Sequence, residues 1–335
     1  MADEDTSWET LIENVSMARP HLVILGAGAS RQAFPSGERN GRLIPLMGDL
    51  IELAGVRDLV VRAGMDPAGN FESTFSELAS SGKHPDLVAE IEEVVHDYFS
   101  DLALPDEITL YDRLIHALRP KDTIATFNWD PFLWDAWVRS PRRDLAPHLV
   151  FLHGNVRVAF CADHRKKSQV GMRCSVCHKV LTPSRLLYPV EAKDYASDPF
   201  LLAEWGATQD ALRNAWALTV FGYGAPRTEV EALRLFRDAW GDPAERNLEE
   251  LEFIDLADGE TLQNRWGEFI FSHHFRTTTD FGKSLLSGYP RRTCEALWET
   301  LLEVNFTTPA IGYNEIASLA ELKSWMEPLW AREDR

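Results

Sequence analysis

The stretch HLVILGAGAS, residues 21–30, decides the fold. Its first half is a short apolar run of the kind that forms a buried strand, and the glycines that follow stop that strand at a tight turn. Because Gly26 and Gly28 have no Cβ, backbone N–H groups at this turn can approach a pyrophosphate closely, and Ser30 adds a hydroxyl donor. A tight strand-to-helix turn without a ligand would have the same pattern. Arg31 stands where the dinucleotide fingerprint has its third glycine, which disfavours an ordinary dehydrogenase.

Further short apolar runs recur along the chain, separated by stretches with helical spacing. They are DTIATF (122–127), HLVFL (148–152), ALTVF (217–221) and LEFIDL (251–256). Strands that alternate with helices predict an α/β fold with a parallel, doubly wound sheet. In such sheets, ligands bind beyond the carboxyl ends of the strands.

Polar residues or glycines follow several of these strands in turn. Asn128 and Asp130 follow the second strand, His153 follows the third, and Gly222 and Gly224 follow the fourth. A single histidine at a strand end is usually structural, and an asparagine before Trp-Asp-Pro is a common turn residue. Several such strand ends in succession favour a functional site.

A cysteine- and histidine-rich segment interrupts the α/β rhythm. Cys161-x-x-His164 is followed, after nine intervening residues, by Cys174-x-x-Cys177. These two pairs can direct four soft ligands at one ion. This spacing predicts a structural, tetrahedral Zn²⁺ site, with unmetallated thiols as the alternative. His178 could replace one of the four ligands.

The strand and cysteine patterns suggest a division of the chain. Residues 1–156 and 196–275 are predicted to form the main α/β domain, 157–195 a zinc-binding insertion, and 276–335 a helical segment packed on the core.

Composition narrows the classes of partner and compartment. The formal net charge of −18 over 335 residues would repel a phosphate backbone, so nucleic acid is not expected as a partner. The start of the chain, MADEDTSWET, lacks the features of a signal peptide, and no apolar run reaches the length of a membrane span. Clustered cysteines suit a reducing compartment, and we expect a cytoplasmic protein that does not engage membranes.

Taken in order, the motifs resemble those of the SIR2 (sirtuin) superfamily of NAD-consuming enzymes. GAGAS (26–30) resembles the Gly-Ala-Gly-x-Ser loop of that family, TFNWD (126–130) its Thr-x-Asn-x-Asp motif, and LHGN (152–155) its catalytic His-Gly. The Cys/His pairs match the position of its zinc module, with His164 in place of one cysteine. FGYGAP (221–226) occupies the place of its ribose loop. The resemblance implies a Rossmann-like fold of SIR2 type, NAD⁺ as substrate and a structural Zn²⁺.

The resemblance also implies roles at the nicotinamide end of NAD⁺. Asn128 and Asp130 would contact the nicotinamide ribose and orient the attacking group. His153 would be the general base on a ribose hydroxyl or on water. Thr126, in the same motif as Asn128, would belong to the NAD-binding residues.

At the other end, the implied contacts are to the pyrophosphate and the adenosine. The residues expected to cradle the pyrophosphate are Gly26, Ala27, Gly28 and Ser30. Gly222 and Tyr223 would line the adenosine ribose, and Asp255 would be a further adenosine contact.

Two departures bear on the activity. Deacylating sirtuins carry Gly-Ile-Pro-Asp-Phe-Arg soon after the glycine loop and Phe-Gly-Glu after the zinc module, whereas this chain has RQAFPSGERNGRLIPLMGDL (31–50) and LTPSRLLYPVEAKDY (181–195). The chain looks more like divergent bacterial SIR2-like proteins, several of which hydrolyse NAD⁺ in defence against phage. We therefore expect a regulated NAD⁺ hydrolase, with an NAD⁺-dependent protein deacylase and a non-catalytic NAD-sensing subunit as alternatives. Because depleting NAD⁺ would harm the cell that makes the protein, we expect regulation through a homo-oligomer or a partner. An ATPase as that partner is implied by the resemblance alone.

Overall fold

The computed structural model describes residues 6–190, 198–225, 229–271 and 275–334. The end of the predicted zinc insertion (191–195) and Pro226 of the fourth-strand motif lie outside the described residues. The strands in this part of the chain are β1 (His21–Leu25), β2 (Thr123–Thr126), β3 (His148–Phe151), β4 (Val158–Cys161), β5 (Lys166–Gln169), β6 (Thr182–Pro183), β7 (Ala217–Phe221), β8 (Glu250–Ile254) and β9 (Arg276–Thr278).

Six of these strands form one sheet in the order β3-β2-β1-β7-β8-β9, and every pairing in it is parallel. Along the chain, β2 and then β3 are added on one side of β1, and β7, β8 and β9 are then added on its other side. This is the strand order of doubly wound, Rossmann-like folds, which place their ligand crevice where the order reverses. The predicted fold class is therefore confirmed, and the reversal lies between β1 and β7.

The register of the sheet aligns the strand ends. Leu25 pairs with Thr126 and with Phe221, Thr126 pairs with Phe151, and Phe221 pairs with Ile254. The residues that follow these strands therefore emerge at one edge. All five residues of β1, β7 and β8 are buried, as expected for strands covered on both faces.

Helices connect and cover the strands. They are α1 (Trp8–Glu13), α2 (Ala27–Ala33), α3 (Leu50–Leu53), α4 (Arg57–Arg62), α5 (Phe71–Ser81), α6 (Pro85–Ser100), α7 (Leu110–His116), α8 (Phe132–Arg139), α9 (Pro199–Asn214), α10 (Val230–Trp240), α11 (Gly259–Trp266), α12 (Leu285–Gly288), α13 (Thr293–Leu301) and α14 (Leu319–Glu333). α9 packs against β2 and β3, and α10 packs against α9. None of the helices in the described part of the chain has the length and apolar character that a membrane span requires.

The cysteine-rich segment forms a small antiparallel sheet of its own, in the order β5-β4-β6. β4 follows His153 by only a few residues, so this module is attached directly to the end of β3. The segment after β6 returns to the main domain, where the Leu187 amide donates to the His153 carbonyl at 2.9 Å.

The sequence had suggested that the segment from residue 276 onward is helical. In the structure, this segment also contains a strand. Arg276–Thr278 forms β9 and adds a sixth strand beside β8. A three-residue edge strand with two threonines has no apolar run to reveal it, which is why the pattern missed it. Beyond it, α14 is anchored to the core by Glu333, which accepts from the buried Arg291 and Arg292 at 2.9 Å and 2.6 Å. The division into domains remains a prediction.

Candidate active site and metal centre

A cavity of about 800 Å³ opens at the carboxyl edge of the sheet, at the reversal between β1 and β7. Residues that follow each of the six strands of the main sheet line it. Those predicted as site residues are Gly26, Ala27, Gly28, Asn128, Asp130, His153, Gly222, Tyr223 and Asp255. The size suits a nucleotide-sized ligand.

The two glycine loops pack directly against each other. The Gly28 amide donates to the Gly222 carbonyl at 3.0 Å. A Cβ on Gly26 would lie 2.5 Å from that same carbonyl oxygen, and one on Gly222 would overlap the Ala29 nitrogen. Gly222 also has φ +61°, which other residues adopt at a cost. Contact between the loops therefore requires these glycines, whether or not a ligand approaches them.

Ser30 lies behind the cavity wall and not on it, which differs from its predicted contact with the pyrophosphate. It is fully buried, and its hydroxyl donates to Asp130 Oδ2 at 2.6 Å. Because that uses the single hydroxyl proton, the Tyr111 hydroxyl donates to Ser30 at 2.6 Å, and Asn128 Nδ2 also donates to it at 3.0 Å. Ser30 is therefore the centre of a polar network that holds Asn128 and Asp130.

The end of β2 is fastened from two sides. Asn128 Nδ2 donates to the Gly26 carbonyl at 3.0 Å, and the Asn128 amide donates to Thr126 Oγ1 at 3.0 Å. Asn155 Nδ2 donates to the Asp130 carbonyl at 2.7 Å. Thr126 is thus buried beneath the wall and supports Asn128 instead of lining the cavity. The sequence pattern gave no role to Tyr111 or Asn155.

Asp130 is a buried carboxyl group in the cavity wall. Burial raises the pKa of Asp130 from 3.8 to about 6, against the opposing effect of the hydrogen bonds from Ser30 and from the Phe132 amide. Asp130 is therefore mostly ionised at neutral pH, although its buried environment disfavours the negative charge.

The raised pKa predicts a pH-dependent stability difference between the protein and Asp130→Asn. The folded state keeps the Asp130 proton up to pH about 6, whereas the unfolded state loses it near 3.8, so the contribution of this group to the unfolding free energy falls as pH rises between them. Relative to the unsubstituted protein, Asp130→Asn should gain about 2–3 kcal/mol between pH 4 and pH 7.5. Denaturant unfolding of both proteins at the two pH values measures this. Zinc release at low pH would affect both alike, and a difference that does not change with pH would contradict the expectation.

His153 sits in an aromatic and acidic surrounding. Its ring meets Phe127 edge-on, with centroids 4.7 Å apart, and Phe127 stacks on Tyr223 at 4.1 Å. Nε2 lies 3.5 Å from Glu229 Oε2, and both side chains are buried. Glu229 also lines the cavity. The sequence pattern does not reveal Glu229, because this residue follows β7 by eight positions and belongs to no motif.

Tyr223 and Asp255 line the cavity beyond the ends of β7 and β8. Asp255 Oδ1 accepts from the Ala257 amide at 2.8 Å, which forms a local turn and leaves the second carboxylate oxygen for another partner. Arg265 on α11 lines the same part of the cavity.

The four predicted zinc ligands converge away from this cavity. The ligand atoms of Cys161, His164, Cys174 and Cys177 all lie within 4.8 Å of one another. Cys161 Sγ is 3.8 Å from Cys177 Sγ and 3.6 Å from His164 Nδ1, and Cys174 Sγ is 3.7 Å from His164 Nδ1.

These separations fit a tetrahedral zinc site. Two sulfur ligands bound to one zinc ion at tetrahedral angles are about 3.8 Å apart. Backbone N–H groups of Cys177 and Val176 lower the pKa of the Cys174 thiol to about 6, which favours the thiolate that a metal binds. The cluster could hold a structural Zn²⁺, and His178 does not belong to it.

Comparison with known proteins gives likeness at the level of structure. No protein-family model matches the chain, and no curated protein matches its sequence. The chain is similar to a solved Sir2 homologue mutant in complex with ADP-ribose (12% identity, TM-score 0.44, covering 86% of this chain and 97% of that one). It is also similar to a triple mutant of Sir2 homologues with 2′-O-acetyl-ADP-ribose (14% identity, TM-score 0.41, covering 88% and 96%). A third is a Sir2 homologue with NAD (13% identity, TM-score 0.35, covering 89% and 93%).

Proposed function

We propose that this protein is a SIR2-like NAD⁺ hydrolase that cleaves the bond between nicotinamide and ribose. The observation that carries the proposal is the meeting of His153, Asn128 and Asp130 with two glycine loops around one cavity at the reversal of strand order. That is the place where doubly wound sheets bind nucleotides. The motif resemblance supplies the identity of the nucleotide.

The residue types suit a reaction in which positive charge develops on the ribose. Water attacks C1′, the bond from C1′ to the nicotinamide nitrogen breaks, neutral nicotinamide leaves, and His153 takes the proton from the water. Asn128 would hold the reacting groups in line, because its amide is itself fixed by Ser30 and the Gly26 carbonyl. The ionised Asp130 would stabilise the developing cation, and Glu229 would stabilise the imidazolium.

The packing of the segment after the zinc module favours hydrolysis over deacylation. In deacylating relatives, this segment lines the groove for acyl-lysine. Here Tyr188 is buried, its ring lies 5.2 Å from Phe75 and 5.0 Å from Trp129, and its hydroxyl donates to the Glu92 carbonyl at 2.7 Å. Contacts within the same molecule therefore hold this segment, which we take as support for hydrolysis.

Product analysis with NAD⁺ tests the proposal. We expect the purified protein to release free nicotinamide and ADP-ribose without any acylated peptide, at one or more of several protein concentrations. Release only when an acetyl-lysine peptide is present would support the deacylase alternative. Thermal stabilisation by NAD⁺ without product at any concentration would support an NAD-sensing subunit. Either of these two outcomes would contradict hydrolysis.

The resemblance supports a finer proposal about biological role. Uncontrolled NAD⁺ hydrolysis would deplete its own cell, so we propose a regulated effector of bacterial anti-phage defence. Control would come through assembly of the chain with itself or with a partner such as an ATPase. Comparing nicotinamide release across assembly states tests the first of these.

A further inference from the structure

The zinc module, taken as residues 157–190, carries a charge opposite in sign to that of the whole chain. Between residues 157 and 190 there are seven arginines and lysines and one acidic residue, Asp163, in a protein whose net charge is −18. Arg165, Lys166, Arg173 and Lys179 are all exposed. Such a local reversal of sign provides an attractive surface for an acidic partner.

Apolar side chains are interspersed among these charges. Val170, Met172, Val176 and Val180 are 42%, 54%, 53% and 57% exposed, and all belong to the same short module. The zinc ligands beneath them fix the turns that present these residues. An exposed apolar group surrounded by charged residues is typical of a protein–protein interface.

The chain itself offers a complementary surface on α6. This helix carries five acidic side chains and neither lysine nor arginine in the sequence PDLVAEIEEVVHDYFS. Its buried positions, Leu87, Ile91, Val95 and Phe99, face the core, while Asp86, Glu90, Glu93 and Asp97 are exposed.

The zinc module is connected to α6 within one molecule. The segment that leaves the zinc module packs on α6 through the hydrogen bond from Tyr188 to the Glu92 carbonyl, 2.7 Å long. Because one chain carries both a basic face and an acidic face, two copies can pair reciprocally about a two-fold axis, each placing its basic face on the acidic face of the other.

We infer that the exposed face of the zinc module, formed by Arg165, Lys166, Val170, Met172, Val176 and Val180, is a self-association surface that docks on α6 of a second copy. A nucleic acid could also meet the basic residues, but the field of the whole chain would repel a long polyanion. The exposed valines and methionine would also gain nothing from a phosphate backbone.

The inference is tested by reversing the charge of each face in a separate variant and then mixing the two variants. Sedimentation equilibrium of the full chain measures the association. We expect the unsubstituted protein to self-associate, and to do so less at high salt. Arg165→Glu with Lys166→Glu should weaken association by about tenfold or more, as should Glu93→Lys with Asp97→Lys, because each sets like charges opposite one another. Mixing the two variants should restore association between them.

Several controls keep the test decisive. Arg57→Glu with Lys323→Glu changes the net charge equally at exposed positions outside both faces, and should leave association unchanged. Met172→Ser with Val180→Ser removes apolar area without altering charge and should also weaken association. Zinc content and melting temperature show that each variant is folded. A protein that stays monomeric, or reversals that do not restore each other, would overturn the inference. Oligonucleotide binding that the Arg165/Lys166 variant abolishes, in a monomeric protein, would overturn it as well.

Discussion

Replacing His153 with alanine is expected to reduce the rate of nicotinamide release by about 10²–10⁴-fold, the usual contribution of a positioned general base. The imidazole lies on the cavity wall, faces the Glu229 carboxylate at 3.5 Å, and is held edge-on by Phe127. Without it, no imidazole stands in that position to accept the proton of the attacking water. Product formation from NAD⁺ at saturating substrate measures the change.

A second histidine, at the start of the strand that His153 follows, provides the matched control. His148 begins β3, at the end opposite to His153, and does not line the cavity. His148→Ala should therefore keep the full rate. His153→Gln preserves most of the volume against Phe127, so it separates lost chemistry from lost packing. If His153→Ala and His153→Gln both turn over at the normal rate while the unsubstituted protein is active, another group is the base and the assignment is wrong.

The sequence predicted the sheet well because its strands are buried on both faces. HLVIL, ALTVF and LEFIDL are mostly apolar stretches of strand length, interrupted only by Thr219 in the second and by Glu252 and Asp255 in the third. The structure places β1, β7 and β8 on them. The convergence of strand ends follows from parallel pairing, so it could be expected without coordinates. The zinc cluster was likewise predictable, since Cys-x-x-His and Cys-x-x-Cys constrain their own geometry.

Which side chains point into the cavity could not be predicted in the same way. Ser30 and Thr126 belong to the expected motifs, yet both turn away from the cavity to hold Asn128. Position in a motif fixes the backbone location of a residue, but its rotamer depends on partners far away in sequence, such as Tyr111. Glu229 shows the opposite case, because tertiary structure alone brings it to His153. Tyr111 and Glu229 could be found only from the three-dimensional contacts.

The network around Ser30 also connects stability with the proposed chemistry. It places an ionised carboxyl group where burial raises its pKa to about 6, which costs folding free energy at neutral pH. Active sites commonly retain such unfavourable groups because the charge acts on the substrate. A gain in stability from Asp130→Asn, accompanied by loss of nicotinamide release, would show directly that stability is lost at this position in favour of activity.

Removing a zinc ligand is expected to have the largest effect on structure. Cys174→Ser should lower the bound zinc from one ion per chain to none and unfold the module formed by β4, β5 and β6. Zinc binding supplies about 10–16 kcal/mol to the folding of small modules of this kind, and this module has few other buried contacts to replace it. Its own core consists of Ala159, Leu181 and the cysteines themselves. Metal analysis measures the first change, and limited trypsin digestion measures the second, because Arg165, Lys166 and Arg173 become cleavable when the module unfolds.

Cys294 is the matched control, since it is buried in a separate cluster with Trp216 and Leu297 and is not a zinc ligand. Cys294→Ala should keep one zinc ion and resist trypsin within the module. Nicotinamide release should also fall in Cys174→Ser, although none of the four ligands lines the cavity. The reason is that the segment leaving the module carries Leu187, whose backbone amide donates to the His153 carbonyl. A Cys174→Ser protein that retains its zinc, or an unsubstituted protein that contains none, would contradict the assignment of the metal centre. A zinc-free protein with undiminished turnover would instead show that the wall beside His153 stands without the module.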